Sequence, residues 1–364
     1  MKIAIENLTK RYGAVAAVDD LTLTIADGEL LVLLGPSGCG KTTTMRAIVG
    51  LEEPTSGRIT VGDSPVYDAA RGINVPSNRR QMGMVFQSYA IWPHKTVGEN
   101  VIYPLERQGV APAEIAERLA RTLALVGLSN FADRGASLLS GGQMQRVALA
   151  RSIIAQPRVL LLDEPLSNLD AKLRDHLRFE LREIQQRLGI TAVYVTHDQT
   201  EALALADRIA VMRDGKIIQL DTPTAIYQRP ANIFVADFLG VGNIFPGRVH
   251  GVNAGNISEV KLTAGNALLR STTPLAVGLQ THVCVRPEHL MLSPEAPPGL
   301  DAHRTSVLPV TVDVATFLGN QVRYLVTGDM MKLNVVSNDT TRIFPRGSKI
   351  HATIRAEHVQ LLPE

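Results

Sequence analysis

Gly35-Pro-Ser-Gly-Cys-Gly-Lys41-Thr42 is the most informative stretch of this chain. It fits the pattern G-x-x-x-x-G-K-[ST], follows the apolar run 29–35 and precedes a helical pattern over residues 41–51. Backbone N–H groups at the start of such a helix attract a polyanion, and the helix dipole favours the same negative charge. Glycine lets the backbone approach phosphate groups with no Cβ in the way. The pattern therefore predicts a loop that binds nucleotide phosphates.

Individual residues of this loop have separate predicted roles. Lys41 supplies a point charge towards the β- and γ-phosphates, and Thr42 supplies a hydroxyl ligand for Mg2+. Cys39 is interpreted as a small loop residue and not as a nucleophile. The predicted nucleotide-binding residues of the loop are Gly35, Ser37, Gly38, Cys39, Gly40, Lys41, Thr42 and Thr43.

Two acidic residues end the apolar run 158–163, which is predicted to be a buried strand. Asp163 can hold Mg2+, directly or through water. Glu164 leaves the strand and can polarise an attacking water as a general base. Together with the phosphate loop, these carboxylates predict an Mg2+-dependent P-loop nucleoside triphosphatase.

Leu139-Ser-Gly-Gly-Gln143 narrows this class, because it resembles the signature motif of the ABC ATPases. Other motifs stand in that family's order over residues 1–235. They are Tyr12, similar to the aromatic that stacks on adenine, Gln87 of the Q-loop, residues 167–170 of the D-loop and His197, the switch histidine. The resemblance implies that ATP is the nucleotide.

The same resemblance implies roles for these residues. Gln87 and His197 act with Glu164 in catalysis, and Gln87 also joins Thr42 and Asp163 at the metal. The nucleotide-binding residues outside the loop are Tyr12, Ser140, Gly141, Gly142 and Gln143.

Three of these residues have a structural alternative. Tyr12 could be core packing, Gln87 a surface amide, and His197 a strand-end histidine without a catalytic role. Asp198 and Glu201 fit a capping box that would fix where His197 points.

One chain carries one phosphate loop and one signature motif. The family resemblance implies that the signature contacts the nucleotide held by another cassette, and the helix predicted to begin there offers a second anion site. A second cassette, forming a homodimer, is therefore the expected partner.

The pattern of the chain changes near residue 238. Before it, apolar strand-like runs alternate with helical patterns, which is typical of an α/β layer structure with a mostly parallel sheet. After it, short β-rich runs are punctuated by Pro and Gly. We expect an α/β P-loop cassette with an α-helical subdomain over residues 1–238, and a C-terminal all-β, OB-like barrel with a regulatory role over residues 239–364.

The tail contains an internal repeat, in which residues 282–295 match residues 351–364 and Gly278 and Gly347 keep the same offset. Two related β-units packed as one barrel would explain the match. The paired Glu-His steps of the repeat fit either a repeated strand-end turn or metal and acid–base chemistry.

The composition limits the partners and the compartment. With 37 Lys and Arg against 35 Asp and Glu, the 364-residue chain is too evenly charged to indicate nucleic acid. Its two cysteines, Cys39 and Cys284, lie far apart, which fits a reducing compartment. There is no visible signal peptide, and no apolar stretch approaches the roughly 20 residues of a membrane span. A cytosolic polypeptide is expected.

Val285-Arg-Pro-Glu288, in a barrel that follows such a cassette, resembles the importer ATPases for sugars, polyamines, ferric iron, phosphonates and oxyanions. The resemblance implies a cassette dimer under two integral membrane permease subunits, peripheral at the cytoplasmic face of the inner membrane. An extracytoplasmic solute-binding protein is implied as an indirect partner. The connection 64–78 is longer than in maltose-type relatives, which favours iron, polyamine or phosphonate.

Residues 88–97 are expected to line the groove that receives a helix of the membrane subunit. Trp92, the only tryptophan, suits an interface anchor there, and a buried core aromatic is the alternative. A soluble ABC ATPase not tied to a transporter is the alternative function.

Overall fold

A computed structural model describes residues 1–253 and 255–362 of the chain. The chain divides into two compact units, Met1–Ile226 and Tyr227–Glu364. The predicted domain boundary, after residue 238, lies 12 residues beyond the division after Ile226. Whether each domain folds independently with these bounds stays a prediction.

The first unit combines strands and helices. Its strands are β1 (Ile3–Tyr12), β2 (Val15–Ile25), β3 (Leu30–Leu34), β4 (Ser56–Val61), β5 (Ser64–Asp68), β6 (Ile73–Asn74), β7 (Met82–Val85), β8 (Val159–Asp163), β9 (Thr191–Thr196), β10 (Arg208–Arg213) and β11 (Lys216–Asp221). Its helices are α1 (Lys41–Val49), α2 (Val97–Arg107), α3 (Pro112–Leu125), α4 (Gly141–Ile153), α5 (Ala171–Leu188) and α6 (Gln199–Leu205). Two short helices, α7 (Pro223–Gln228) and α8 (Ile233–Phe238), follow.

A six-stranded sheet in the order β11-β10-β3-β9-β8-β7 forms the centre of this unit, and its strands from β10 to β7 are parallel. All residues of β3, β8 and β9 are buried, as expected for strands covered on both faces. Because these three strands are neighbours, their carboxyl ends meet at one edge of the sheet. The phosphate loop follows β3, Glu164 follows β8 and His197 follows β9, so all three lie at that edge.

A second, antiparallel sheet in the order β2-β1-β4-β5-β6 shares one hydrophobic core with the parallel sheet and α1. Helix α1 ends at Val49, earlier than the predicted 51, because Gly50 takes the left-handed conformation (φ 81°) that closes the helix. Helices α2, α3 and α4 pack on one another and form the expected α-helical subdomain.

Strands dominate the second unit. They are β12 (Asn243–Val252), β13 (Ser258–Leu262), β14 (Leu268–Ser271), β15 (Gln280–Val285), β16 (Met291–Ser293), β17 (Thr305–Phe317), β18 (Val322–Gly328), β19 (Met331–Ser337), β20 (Lys349–Arg355) and β21 (Val359–Leu362). They form two antiparallel five-stranded sheets around a common core, in agreement with the predicted all-β fold. Helix α8 and the residues after it pack on Cys284 and Leu362, which explains why this segment groups with the strands.

The internal repeat extends further than the sequence indicated. The two sheets have the corresponding orders β14-β13-β12-β15-β21 and β19-β18-β17-β20-β16. Equivalent bulges interrupt β12 after Val249 and β17 after Val312. The last strand of each repeat, β16 or β21, pairs in the sheet of the other repeat, so neither sheet is complete without both.

The paired Glu-His steps lie in two 3₁₀ turns, Pro287–His289 and Ala356–His358, each at the end of a strand. This confirms the strand-end turn. The rings of His289 and His358 stack with centroids 4.1 Å apart, where the two repeats meet. The last pair of the repeat, Pro363 and Glu364, lies outside the described residues.

Candidate active site

The phosphate loop between β3 and α1 is held against neighbouring backbone. A Cβ at Gly35 would lie 2.3 Å from the carbonyl oxygen of Met212, and one at Gly40 would lie 2.3 Å from that of Ala17. Gly40 also has φ 103°, a conformation that L side chains rarely adopt. Both glycines are therefore required for the loop to turn into α1 and present its N–H groups.

Lys41 is buried in this loop. Its ammonium donates to the carbonyl oxygens of Gly35 and Pro36, at 2.8 and 2.9 Å. The Cys39 sulfur lies 3.7 Å from the same nitrogen, and burial raises the pKa of the Cys39 thiol. A thiol that stays protonated is a poor nucleophile, which supports the interpretation of Cys39 as a small loop residue.

Thr42 and Asp163 form the candidate metal site. The Thr42 hydroxyl lies 3.3 Å from a carboxylate oxygen of Asp163, across the gap between α1 and the end of β8. Burial raises the pKa of Asp163, because its charge is only partly compensated there. A hydroxyl beside a desolvated carboxylate fits Mg2+, a hard cation that takes oxygen ligands.

Glu164 stands at the centre of the three predicted catalytic residues. One carboxylate oxygen accepts from Gln87 Nε2 at 3.2 Å, and the other lies 3.2 Å from His197 Nδ1. The tautomer of His197 that carries its proton on Nδ1 can donate a hydrogen bond to this oxygen. Gln87, Glu164 and His197 thus form one contact chain, whereas a surface amide and an isolated histidine would not.

The backbone turns sharply at Glu164, whose φ is 44°. Its N–H donates to the Val195 carbonyl at 3.0 Å, beyond the last residue of β8. A non-glycine residue in this region costs about 1–3 kcal/mol and persists only where its surroundings fix it. The turn aims the carboxylate out of the sheet, towards Gln87 and His197.

The predicted capping box after His197 is half correct. Asp198 accepts from the N–H groups of Thr200 and Glu201, at 2.8 and 3.1 Å, and so begins α6. Glu201 does not complete the box, because its carboxylate accepts from the hydroxyls of Tyr194 and Thr196 instead, both at 2.8 Å. The strand that precedes His197 is therefore fixed to α6 from inside the fold.

Arg174 of α5 belongs to the same surroundings, although the sequence did not single it out. Its guanidinium donates to Asp198 at 3.3 Å and to the Leu169 carbonyl at 3.1 Å, and so joins the D-loop to the switch region. A cavity of about 40 Å3 lies between Arg174, Glu164 and His197, and it has room for a water molecule.

The signature residues begin α4 with a complete capping box. The Ser140 hydroxyl accepts from the Gln143 N–H, and the Gln143 side chain accepts from the Ser140 N–H at 3.0 Å. A Cβ at Gly142 would come within 2.9 Å of Leu173. The helix start is thus closely packed on one side, and the predicted contacts of these residues with a nucleotide stay a prediction.

Tyr12 is not part of the core. Its side chain is 51% exposed at the end of β1, and the Lys10 ammonium lies 4.8 Å from the ring centroid. The core-packing alternative is wrong for this residue, and the ring is accessible for stacking on a base.

A groove of about 950 Å3 lies beside the segment that follows Gln87. Its walls are formed by residues 77–79, 81–84 and 86, by Tyr103 and its neighbours in α2, and by residues 151–152 and 155–158. Trp92 is half-buried and lines the groove. Its ring centroid lies 4.7 Å from that of Tyr103, and the Arg151 guanidinium lies 4.8 Å from the Trp92 ring centroid. Trp92 is therefore part of a surface groove and not of a closed core.

Comparisons with known proteins identify the family of this chain. The family model described as "ABC transporter" matches residues 18–167, and the model "TOBE domain" matches residues 283–362. An Fe(3+) ions import ATP-binding protein of Rhizobium etli is 44% identical over 96% of this chain and 94% of its own length. This chain belongs to the ABC transporter family. As an ABC cassette it is an ATP-binding ATPase, with a TOBE domain at its C-terminal end.

Other relatives of this ABC protein support the same assignment. A spermidine/putrescine import ATP-binding protein of Rubrobacter xylanophilus is 46% identical over 89% of this chain and 83% of its own length. The solved cbiO1 of Clostridium perfringens covers 62% of this chain and 90% of its own, with a TM-score of 0.57 and 29% identity. The solved structure of a dimeric ATP-binding cassette in a post-hydrolysis state, bound to ADP and Pi, covers 61% of this chain and 98% of its own chain, with a TM-score of 0.53 and 30% identity. Among the described residues, no helix is both long and apolar enough to cross a bilayer.

We predict that Glu164→Gln lowers the ATPase rate by about 10²–10⁴, because the amide keeps the size of the side chain but cannot accept a proton. ATP binding should survive, since a negative charge near the γ-phosphate has been removed. Steady-state ATPase assays and nucleotide titrations check this, with Glu183→Gln, an exposed residue of α5, as the matched control. A rate near that of the wild type would show that the base lies elsewhere, and His197 would be the next candidate.

Proposed function

We propose that this chain is the ATP-hydrolysing subunit of a solute importer, which works as a homodimer beneath two membrane permease subunits. The observation that carries the proposal is the groove beside Trp92. It suits a helical partner, and its lining includes Phe86, the neighbour of the Q-loop residue Gln87. The names of the relatives as import proteins support the direction of transport.

The proposed reaction uses the residues at the sheet edge. Lys41 and the N–H groups of the phosphate loop hold the ATP phosphates, and Tyr12 stacks on the base. Thr42, Asp163 and Gln87 would hold Mg2+, which neutralises phosphate charge. Glu164 accepts a proton from the attacking water, and His197 and Gln87 keep its carboxylate in position through their contacts at 3.2 Å.

The proposed dimer follows from the separation of two anion sites on one chain. The start of α4 presents Ser140, Gly141 and Gly142 at an N-terminus, where the helix dipole favours a phosphate. The capping box uses the N–H groups of Ser140 and Gln143. The N–H groups of Gly141 and Gly142, which have no acceptor within the helix, would remain for the nucleotide of a second copy. The dimeric ADP-bound cassette among the solved structures supports this arrangement.

The groove is proposed to receive a helix of a permease subunit. Its walls offer apolar and aromatic surface together with Arg79, Arg151 and Arg158, so the partner helix should carry apolar side chains and a carboxylate. Such docking would hold the chain peripherally at the cytoplasmic face of the inner membrane. A soluble ABC ATPase not tied to a transporter is the alternative function.

The solute is proposed to be ferric iron, with polyamines as the second candidate. Two relatives with these substrates in their names each align over more than four-fifths of the chain. Uptake of labelled ferric iron and of labelled spermidine is measured in cells that lack this gene, and the solute whose uptake falls is the one transported. If the uptake of neither solute falls, both candidates are rejected.

We predict that Ser140→Arg leaves ATP binding to the single chain intact but prevents dimer formation and turnover. The arginine would occupy the start of α4, where the second nucleotide is proposed to lie. Size-exclusion chromatography with Mg-ATP, together with ATPase assays, measures both effects. Hydrolysis at the wild-type rate would contradict the composite site.

We predict that Trp92→Ala weakens co-purification with the membrane permease subunits, because the groove loses its aromatic anchor, while the ATPase rate of the isolated subunit changes little. Pull-down from detergent-solubilised membranes, with membrane partners identified by mass spectrometry, measures the loss. Phe179→Ala is the matched control, since Phe179 is 69% exposed on α5 and lies outside the groove. Recovery of no membrane protein with the wild-type chain would favour the soluble alternative.

A further inference from the structure

Arg80 is a buried cation that the site described above does not use. It stands between the 3₁₀ turn Ser77–Arg79 and strand β7, and only 3% of its surface is exposed. Its guanidinium makes four hydrogen bonds, none of them to a carboxylate. Burial without a counter-ion lowers the pKa of Arg80 to about 10, which still leaves it charged at neutral pH.

Two of these hydrogen bonds reach the end of the helix that begins with the phosphate-binding residues. Arg80 Nη1 donates to the carbonyl oxygens of Ala47 and Ile48 in the last turn of α1, at 2.8 and 2.7 Å. Carbonyls at a helix C-terminus lack intrahelical partners and carry the negative end of the dipole, so they stabilise a cation. The guanidinium thus holds α1 at the end opposite Lys41 and Thr42.

Gly50 makes this approach possible. A Cβ at Gly50 would lie 2.6 Å from Arg80 Nε and 2.7 Å from the central carbon of the guanidinium. Any side chain at this position would displace Arg80 from α1. A substitution at Gly50 therefore disrupts the contact between Arg80 and α1 without changing Arg80 itself.

The other two hydrogen bonds reach the segment that leads into the groove wall. Arg80 Nε donates to the Val75 carbonyl at 2.7 Å, and Nη2 donates to the Asn74 side chain at 3.1 Å. These acceptors belong to the long connection 64–78, whose end continues into Ser77–Arg79 on the groove wall. The residues immediately after Arg80, Gln81 and Met82, line the groove as well.

We propose that Arg80 is a positioning residue that couples the occupancy of the groove to the placement of α1, and through α1 to the phosphate loop. A helix docked in the groove displaces the segment 77–82, and the guanidinium transmits this displacement to the carbonyls of Ala47 and Ile48. Because coupling between two sites is reciprocal, nucleotide binding at Lys41 in turn shifts α1, Arg80 and the segment 77–82 on the groove wall. The proposal rests on the groove being the docking site of the proposed function.

Lysine cannot replace Arg80 in this role. The planar guanidinium binds Val75 through Nε, α1 through Nη1 and Asn74 through Nη2, and so spans three directions from a fixed plane. The ammonium of lysine is a single point on a flexible stem, so it keeps the charge but cannot hold all three acceptors.

Trp92 provides a direct readout, because it is the only tryptophan and it lines the same groove. The full-length chain is titrated with Mg-ATP while the emission of Trp92 and its quenching by acrylamide are followed. The wild type should show a nucleotide-dependent change. Arg80→Lys and Gly50→Ala should bind Mg-ATP within about threefold of the wild-type affinity, a difference of at most about 0.7 kcal/mol, and should lose most of the Trp92 response.

Gly189→Ala is the matched control for Gly50→Ala. Gly189 also ends a helix in the left-handed conformation (φ 58°), but a Cβ there would meet nothing within 4 Å. This variant carries the same kind of backbone strain and should keep the full Trp92 response.

Three results would overturn the coupling: no response in the wild type, a full response in Arg80→Lys, or loss of ATP binding in both variants, which would make Arg80 merely a support of the loop. If Arg80→Lys does not fold, Gly50→Ala decides by the same criteria. Failure of the proposed function itself is distinguishable, because it appears as absent permease co-purification whatever Trp92 does.

Discussion

In the proposed function the start of α1 holds a polyanion, and much of the first unit is arranged in a way that suits this role. The loop approaches β2 and β10 so closely that Gly35 and Gly40 cannot carry a Cβ. Lys41 is buried against backbone carbonyls, and the raised pKa of Asp163 reports a carboxylate whose charge is poorly compensated. Phosphates would supply the counter-charge for Lys41, and Mg2+ would do so for Asp163. Binding of Mg-ATP at these residues would therefore relieve two desolvation costs together.

Connections to this site run in two directions from the parallel sheet. Towards the D-loop, Arg174 joins the Leu169 carbonyl to Asp198, next to His197. Towards the groove, strand β7 leads to Gln87, which contacts Glu164, and Arg80 holds α1. In the proposed importer, the D-loop side would meet the second cassette and the groove side would meet the permease.

Motifs confined to a short stretch were predictable from the sequence, and contacts between distant stretches were not. The phosphate loop, the strand ending at Asp163 and the signature helix each carry their own pattern of glycines, apolar residues and caps. The partners of Arg80 lie 5 to 33 residues away, and Glu201 bonds back to the preceding strand instead of completing its capping box. The repeat was visible only where its sequence is preserved, whereas the strand exchange between β16 and β21 needed the fold.

The most direct test of the account is a calorimetric titration of the Lys41→Ala variant with Mg-ATP. Loss of a hydrogen bond to a charged group costs about 1.5–3 kcal/mol, so the affinity should fall by roughly 10- to 160-fold. Lys349→Ala, which removes an exposed lysine of β20 in the second unit, should bind as the wild type does. Unchanged affinity in Lys41→Ala would contradict the assignment of the phosphate loop.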